Sequence, residues 1–246
     1  MKRLTDKTVL ITGGSRGIGA AITRRLAGDG AKVAFTFNRS AEKADLIVAE
    51  VQNAGGKAIA IHADSERPED IINAVKKTVD AFGTIDILVS NAGIYIGKNF
   101  DEHTLEEYDQ IMSVNVRAVY VGAQAALKHM APGGRIITIG SNMADNAIGP
   151  QTTLYTMSKS ALQGFTRGLA RDVGSKKITV NLVQPGPIDT DMNPANTELA
   201  NYLRTRMALA EYGTGEDIAG LVSFLASDEG KYITGSVLTI DGGFNA

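Results

Sequence analysis

The chain has 246 residues, 25 of them basic and 27 acidic, for a formal net charge of −2, and it contains no cysteine. The absence of cysteine excludes disulfides, thiol catalysis and cysteine-ligated zinc. Acidic and basic residues are interspersed, which argues against a nucleic-acid-binding surface. No apolar run approaches the roughly 20 residues that span a bilayer, and the run Val9-Leu10-Ile11 is too short for a signal peptide. We therefore expect a cytoplasmic protein with neither a membrane nor a nucleic-acid partner.

Short apolar or β-branched runs alternate along the chain with longer segments of helical periodicity. The predicted strands cover residues 8–12, 32–37, 57–62, 85–90, 134–139, 179–183 and 237–240. The predicted helices cover residues 17–27, 41–54, 68–81, 105–130, 153–174 and 216–226. Apolar strands that alternate with helices are typical of a parallel sheet covered on both faces. Because no linker divides the chain, we predict a single domain over residues 1–246. Its expected fold is doubly wound α/β, with ligands at the carboxyl ends of the strands.

A glycine-rich turn follows the first predicted strand and precedes the first helix. Glycine allows a sharp turn and lets a phosphate approach the backbone, while the helix N-terminus offers free N–H groups and a positive dipole end. The spacing is Gly-x-x-x-Gly-x-Gly rather than Gly-x-Gly-x-x-Gly, and a tight structural turn is the alternative. We predict that this turn binds a dinucleotide through Gly13, Ser15, Arg16, Gly17, Ile18 and Gly19.

The second strand ends at Asn38, Arg39 and Ser40, without the acidic residue that usually holds a ribose 2′-hydroxyl. Arginine donors match the geometry of a phosphate, and Arg16 lies near by in the first loop. The alternative is an ordinary solvated arginine. We predict the phosphorylated cofactor, NADP(H), as the ligand.

Polar and small residues also follow the third and fourth strands. Asp64, with the backbone of Ser65, is a candidate for contact with an adenine ring, although a capping or turn role for Asp64 is nearly as plausible. The run Asn91-Ala92-Gly93 offers little bulk and lets the backbone approach a flat ligand.

Asn115 lies inside the long predicted helix among apolar neighbours, where an unsatisfied amide is costly to bury. It is either a structural bridge to the backbone or a member of a polar relay, and we favour the relay.

Tyr155 and Lys159 are four residues apart, which places them one turn apart on the same face of a helix. A lysine cation beside a phenol favours the phenolate. Moving a tyrosine pKa from ~10 to ~7 requires roughly 4 kcal/mol, about what a unit charge ~4 Å away supplies at an effective dielectric of ~20. The pair is therefore sufficient for acid/base catalysis, although this spacing also occurs by chance as a surface pair.

Two further strand ends carry candidate residues. Ser141 follows the fifth strand, fourteen residues before Tyr155. The loop after the sixth strand contributes Pro185, Gly186, Ile188 and Thr190.

Together these motifs resemble the short-chain dehydrogenase/reductase family in its single-domain branch, over essentially the whole chain. The segment Gln184–Asn196 is similar to a bacterial subgroup close to 3-oxoacyl reductases. That subgroup also includes a cyclic-di-GMP-binding biofilm dispersal mediator. The resemblance implies a Rossmann fold, NADP(H) as cofactor, and NADPH-dependent reduction of a ketone or 3-oxo ester.

The resemblance also implies roles for single residues. Tyr155 is the expected general acid, Lys159 lowers its pKa and holds the nicotinamide ribose, and Ser141 polarises the carbonyl. Asn115 holds a water that leads to Lys159. Ile188 and Thr190 anchor the nicotinamide half, Asp64 and Ser65 meet adenine, and Asn91, Ala92 and Gly93 line the cofactor groove.

Two departures from the family pattern concern the substrate side. The residue after the serine is Asn142, where many relatives have serine or a small apolar residue, and the interval from Ser141 to Tyr155 is one residue longer than the commonest one. Both are expected to reshape the substrate loop.

The main alternative function is a signalling protein that holds a cyclic dinucleotide in the same groove without turnover. The joint presence of Ser141, Tyr155 and Lys159 favours an enzyme. Asp189 and Asp191 lack a nearby histidine, so we expect no metal. A substrate lid is expected over residues 187–212. Surplus apolar residues on the two long helices, with the family resemblance, point to a homotetramer.

Overall fold

The computed structural model describes residues 2–246. Its centre is a sheet of seven strands in the order β3-β2-β1-β4-β5-β6-β7, in which every neighbouring pair is parallel. The strands are β1 Thr8–Ile11, β2 Lys32–Phe37, β3 Lys57–His62, β4 Ile87–Ser90, β5 Arg135–Ile139, β6 Thr179–Pro185 and β7 Val237–Ile240. The predicted doubly wound fold with seven parallel strands is confirmed.

Eight α-helices connect and cover the strands. They are α1 Gly17–Gly28, α2 Ala41–Asn53, α3 Pro68–Phe82, α4 Leu105–Met112, α5 Ala118–Ala126, α6 Thr153–Val173, α7 Glu198–Arg204 and α8 Gly215–Ala226. Buried side chains of α1, α2 and α8 pack on one face of the sheet, and those of α3, α5 and α6 pack on the other. Among residues 2–246, no helix is both long and apolar enough to cross a bilayer.

The strand order reverses between β1 and β4. From β1 the chain proceeds outward to β2 and β3, and it then returns to place β4 on the other side of β1. In open parallel sheets the loops that leave the carboxyl ends of two such strands diverge and open a crevice. The glycine turn after β1 and the run Asn91-Ala92-Gly93 after β4 flank this crevice.

The long helix predicted over residues 105–130 differs from the structure in two respects. A π-helical turn, Ser113–Arg117, separates α4 from α5, and the helix ends at Ala126. The end is closed by tighter bonds, in which the N–H groups of Lys128 and His129 reach carbonyls three residues earlier. The π turn holds Asn115, whose side chain bonds outside the helix, and such turns are frequent at functional sites.

Candidate active site

The glycine turn after β1 leaves no room for side chains at two positions. A β-carbon on Gly19 would lie 2.1 Å from the carbonyl oxygen of Gly13, and one on Gly14 would lie 2.5 Å from the Cβ of Phe35. Gly13 and Gly17 have φ angles of +67° and +50°, which L side chains rarely adopt. The backbone itself is therefore the surface that this turn presents.

Hydrogen bonds from two strand ends hold the turn in place. The Gly13 N–H donates to the hydroxyl of Thr36 at 3.0 Å. The Asn91 amide donates to the carbonyls of Thr12 and Gly13, both at 3.0 Å. The Thr12 hydroxyl accepts the N–H groups of Asn91 and Ala92. Asn91 therefore ties β4 to the turn, and Thr12 and Thr36 are site residues that the sequence reasoning missed.

Helix α1 begins directly at this turn. Among the described residues, no side chain caps its first N–H groups, and its N-cap residue Arg16 has extended backbone. The first turn of a helix leaves N–H groups and a positive dipole end for an anion. Ser15 is buried beside it, whereas Ile18 is half-buried. The backbone cradle and the open helix end fit a pyrophosphate.

The predicted basic residues lie at the rim of this cradle. Arg16, Asn38 and Arg39 are exposed and Ser40 is half-buried. Within residues 2–246, the Arg16 and Arg39 guanidinium groups make no hydrogen bond or ion pair. They are thus free to meet a phosphate at the end of β2.

Asp64 follows β3 and takes part in a local turn. Its Oδ1 accepts the N–H of Glu66 at 3.0 Å, and its own N–H donates to Asp70 at 3.0 Å. Ser65 beside it is half-buried. The turn role that the sequence left open for Asp64 is therefore present, and adenine contact stays a prediction.

The loop after β6 passes over the glycine turn. Ile188 is buried, and the Cγ2 of Thr190 lies 3.3 Å from where a β-carbon of Gly17 would be. Pro185 is the last residue of β6, and a β-carbon on Gly186 would lie 2.4 Å from that of Asp241. Gly186 therefore has to be glycine because Asp241, close to the end of the chain, leaves no room for a side chain. The approach of a ligand is not needed to explain it.

An ion pair also joins this loop to α2. Lys43 Nζ and Asp191 Oδ2 are 3.0 Å apart, both more than half exposed. Lys43, with a smaller contribution from Arg16, holds the pKa of the Asp191 carboxyl below its usual value. Asp189, in turn, accepts the N–H of Ala195. Among the described residues, no group of three or more candidate ligands could hold a metal ion.

The ion pair borders a cavity of about 310 Å³ between α1, α2 and the loop after β6. The cavity is lined by Ser15, Arg16, Gly17, Ala20, Ala21, Arg24, Lys43, Leu46, Ile47, Glu50, Asp189, Asp191, Gly215 and Glu216. Because three residues of the glycine turn line it, the cavity lies at the same edge of the crevice as the turn. This edge, which includes the glycine turn and the end of β2, is the proposed phosphate-binding edge.

Ser141, Tyr155 and Lys159 meet at the carboxyl end of β5. Lys159 is buried, with its Nζ 5.7 Å from the centre of the Tyr155 ring, and it donates to the carbonyl of Ile139 at 3.0 Å. The Ser141 hydroxyl lies close enough to the Tyr155 phenol to influence its pKa. The structure therefore brings the three predicted groups together, because β5 ends beside the first turns of α6.

Burial raises the pKa of the Tyr155 phenol above its ordinary value, and this is the largest influence on it. The neighbouring Ser141 hydroxyl lowers the pKa and the Tyr95 phenol raises it. Burial also lowers the pKa of Lys159 to about 8, so that part of the amine is uncharged just above neutral pH. Burial disfavours the phenolate and dominates the net shift, and the lowering of the phenol pKa by Lys159 stays a prediction.

Asn115 is buried and bonded on both sides of its amide. Its Oδ1 accepts the Ile94 N–H at 2.9 Å, and its Nδ2 donates to the Ile94 carbonyl and the Ser158 hydroxyl, both at 3.0 Å. The Ser158 hydroxyl donates in turn to the Tyr155 carbonyl. The bridge to backbone is therefore present, with Ser158 linking it to the helix that carries Tyr155, and the relay role stays a prediction.

Gly93 allows Lys159 and Asn115 to approach the same point. A β-carbon on Gly93 would lie 3.4 Å from both Lys159 Nζ and Asn115 Oδ1. Ala92 precedes it and is half-buried. The loop after β4 therefore forms one wall beside the lysine.

The aromatic ring of Tyr95 flanks the Tyr155 phenol. The rings of Tyr95 and Tyr155 meet edge to face with centroids 5.2 Å apart, and the Tyr95 hydroxyl donates to the Gln151 carbonyl. Tyr95 is 43% exposed, so it stands between Tyr155 and the surface.

Comparison with known proteins shows which family the chain is similar to. Residues 13–245 match the family model described as enoyl-(acyl carrier protein) reductase. The chain is 44% identical to the cyclic-di-GMP-binding biofilm dispersal mediator protein of Escherichia coli over the full length of both.

Solved structures resemble the chain as closely. It is 52% identical to a short chain dehydrogenase from Burkholderia cenocepacia crystallised with NADP, covering 99% of this chain and 100% of that one, with a TM-score of 0.98. A short-chain dehydrogenase/reductase from Serratia marcescens is 50% identical, with the same coverage and TM-score. The fold, the match over residues 13–245 and these full-length identities establish that the chain belongs to the short-chain dehydrogenase/reductase family of oxidoreductases.

Proposed function

We propose that the protein catalyses the NADPH-dependent reduction of a ketone or 3-oxo ester to the alcohol. The observation that carries this proposal is the contact of Ser141 and Tyr155 next to a buried lysine at the carboxyl end of β5. A hydroxyl and a phenol that lie this close together can both turn toward a single carbonyl oxygen. A site that only binds a ligand has no need of this arrangement.

The choice of NADP(H) rests on the phosphate-binding edge. Arg16 and Arg39 are exposed there, and β2 ends without an acidic residue. The solved relative from Burkholderia cenocepacia contains NADP, which supports the same cofactor here. The nicotinamide ring, when bound, supplies the hydride.

The protein's own groups handle the proton. Tyr155 is the proposed general acid, and its raised pKa keeps the phenol protonated at neutral pH. Ser141 donates a hydrogen bond to the same carbonyl oxygen and stabilises the charge that develops on it. Lys159, with a pKa of about 8, holds the ribose hydroxyls and exchanges protons near neutrality. We propose that Asn115 orients a water near Lys159 through the free lone pair of its Oδ1.

The substrate side is proposed to lie under a lid of residues 187–212. Leu203 and Met207 of this segment are buried with Phe244, and Ile148 and Tyr212 pack against them. Tyr95 closes the opposite wall beside Tyr155. These mostly apolar surfaces favour a ketone of moderate size over a highly charged substrate.

A binding function is the second candidate, because a relative 44% identical over its full length carries a name that includes cyclic-di-GMP binding. The open end of α1 and the basic residues beside it would suit the phosphates of either ligand. Under this alternative the Ser141–Tyr155 contact is idle, and its removal leaves ligand affinity unchanged.

A homotetramer is proposed on α4, α5 and α6, the segments that occupy the two long predicted helices. Tyr120 of α5 is 54% exposed, and it borders an apolar cleft of about 350 Å³. The cleft is lined by Asp109, Met112, Ser113, Val116, Arg117, Tyr120, Leu162 and Phe165. A second copy that packs here would bury these apolar side chains. A cysteine-free chain that uses NADPH also fits a cytoplasmic location.

Tyr155→Phe provides the decisive test. We expect turnover of NADPH with a panel of ketones to fall at least about 1,000-fold, while the dissociation constant for NADPH changes less than twofold. Tyr108→Phe is the matched control, because Tyr108 lies on α4 and is 40% exposed, and it should retain full activity. Substantial ketone reduction by Tyr155→Phe would remove Tyr155 as the acid. If the wild-type protein reduces no ketone but binds cyclic-di-GMP, the second candidate replaces the first.

A further inference from the structure

Asn142, which directly follows Ser141, is held by the C-terminal segment, residues 241–246. Its buried amide donates to Asp241 Oδ2 at 3.3 Å and to Asn245 Oδ1 at 3.5 Å. The amide of Asn245 donates back to the Asn142 carbonyl at 2.9 Å. The Asn245 N–H also donates to Asp241 at 3.0 Å. These bonds join the serine loop to the C-terminal segment across about a hundred positions of sequence, and the Asn146 amide adds another bond to Asn245 Oδ1 at 3.4 Å.

These hydrogen bonds act on the turn that orients the serine. Asn142–Ala144 form a short 3₁₀ turn, and the Ser141 hydroxyl oxygen accepts the Met143 N–H at 3.2 Å. With its oxygen bonded to that N–H, the hydroxyl is left to donate in the other direction, toward Tyr155. The position of Asn142 therefore decides where the hydroxyl points.

The part of the loop that follows Asn142 is also bonded to α6 and β6. Gln163 of α6 and Gln184 of β6 both donate to the carboxylate of Asp145, and the Ser160 hydroxyl donates to the Ala144 carbonyl. These bonds hold the far end of the turn. The end next to Ser141 is bonded to the C-terminal segment, which also reaches Asn146 at the far end.

The same segment is packed against the proposed lid. The Leu209 N–H donates to the Gly242 carbonyl at 3.0 Å, and Phe244 is buried against Leu203 and Met207. A β-carbon on Gly243 would lie 2.6 Å from that of Ala208. The segment therefore lies between the lid and the serine loop and touches both.

We propose that Asn142 is a positioning residue for Ser141, and that Asp241 and Asn245 hold it so that the serine hydroxyl meets the substrate carbonyl. This inference rests on the proposed carbonyl reduction. It assigns the departure at Asn142 a function, and it makes the last residues of the chain part of the substrate side.

The test compares Asn142→Ala and Asn245→Ala in the wild-type and Ser141→Ala backgrounds. In the wild-type background we expect kcat for ketone reduction to fall about 10-fold, since a small misplacement of a catalytic group is costly. The dissociation constant for NADPH should change less than twofold, because the glycine turn lies at another strand end. In the Ser141→Ala background the same substitutions should lower kcat less than twofold, because the group they position is gone. Asn53→Ala, an exposed asparagine at the end of α2, is the matched control and should match wild type.

Equal losses in both backgrounds, or no loss in the wild-type background, would overturn the proposal. If Asn142→Ala does not fold, Asn245→Ala decides alone, since Asn245 is only half-buried. If Ser141→Ala leaves no measurable turnover, the decision falls to the contrast between kcat and NADPH affinity: losses in both, or in neither, refute it. Failure of the reaction itself is recognised separately, because then Tyr155→Phe would match wild type.

Discussion

The two edges of the crevice are built in opposite ways. At the phosphate-binding edge, backbone atoms form the surface, and glycines at positions 14 and 19 are required because other atoms stand where side chains would be. At the catalytic edge, side chains form the surface, and Ser141 and Lys159 are both buried. The first edge depends on local backbone geometry, whereas the second depends on burial and on hydrogen bonds between distant segments.

The two edges also differ in what shifts ionisation, because an ion pair with Lys43 lowers the pKa of Asp191 at the first edge, whereas burial acts at the second. Exposed guanidinium groups such as Arg16 and Arg39 remain in water, where their charge is well solvated. Tyr155 and Lys159 are withdrawn from water, so burial raises the pKa of the phenol and lowers that of the amine to about 8. Four substitutions test this difference between the two edges.

Gly19→Ala should have the largest effect, at the phosphate-binding edge. A β-carbon there would lie 2.1 Å from the Gly13 carbonyl and 2.5 Å from the Asn91 amide, so the turn must move. We expect the unfolding free energy to fall by about 3 kcal/mol and the NADPH dissociation constant to rise more than about 10-fold. Denaturant unfolding and fluorescence titration measure the two. Gly28→Ala is the control, because no atom lies within 4 Å of its added carbon; equal behaviour of the two variants would contradict the prediction.

Lys159→Met should change the pH dependence of stability. The pKa of Lys159 is about 8 in the folded protein and about 10.4 in an unfolded chain. Between these values the unfolded state binds more protons, so the unfolding free energy rises with pH; below pH 8 the cost of burying the charge is fully present. Wild type should therefore gain about 3 kcal/mol relative to Lys159→Met between pH 8 and about pH 10.4.

The measurement is denaturant unfolding at several pH values, with the exposed Lys57→Met as control. Lys57→Met should follow the wild-type slope. Parallel curves for wild type and Lys159→Met would mean that Lys159 is charged in the folded state throughout this range.

Arg39→Ala tests the basic rim of the phosphate-binding edge. We expect the KM for NADPH to rise about 10- to 100-fold, because a charge-assisted hydrogen bond to phosphate is lost, and the KM for NADH to change less than twofold. Arg171→Ala, an exposed arginine near the end of α6, should leave both constants unchanged. An unaltered ratio of the two KM values in Arg39→Ala would exclude contact with a 2′-phosphate.

Lys43→Ala should have the smallest effect. Its ion pair with Asp191 is more than half exposed on both sides, and such pairs contribute little in water. We expect the melting temperature to change by less than about 2 °C in a thermal scan. A clearly larger drop would show that this pair holds the loop after β6 against α2.

Local pattern was sufficient for the strands and most helices. The bounds predicted for β2, β3 and β7 agree with the structure, because apolar runs of four to six residues leave little choice of register. β6 extends through Pro185 and β4 begins at Ile87, each within two residues of the prediction. Element ends depend on neighbouring strands, which a single run does not contain.

The sequence indicated which residues belong to the candidate site better than it indicated what each of them does. Asn115 was singled out by its apolar surroundings, but the π turn around it and its bonds to Ile94 and Ser158 join segments far apart in sequence. Thr12 and Thr36 carried no signal, because a buried threonine at a strand end is common and only the folded contact reveals its partner.

The sequence by itself determined the parallel α/β architecture and the order in which the site residues occur, because periodicity and glycine spacing act over a few neighbouring positions. Tertiary structure alone decided the ionisation of Tyr155 and Lys159 and the hold of Asn245 on Asn142. The physical reason is that desolvation and hydrogen bonds between distant strand ends exist only after the chain has packed.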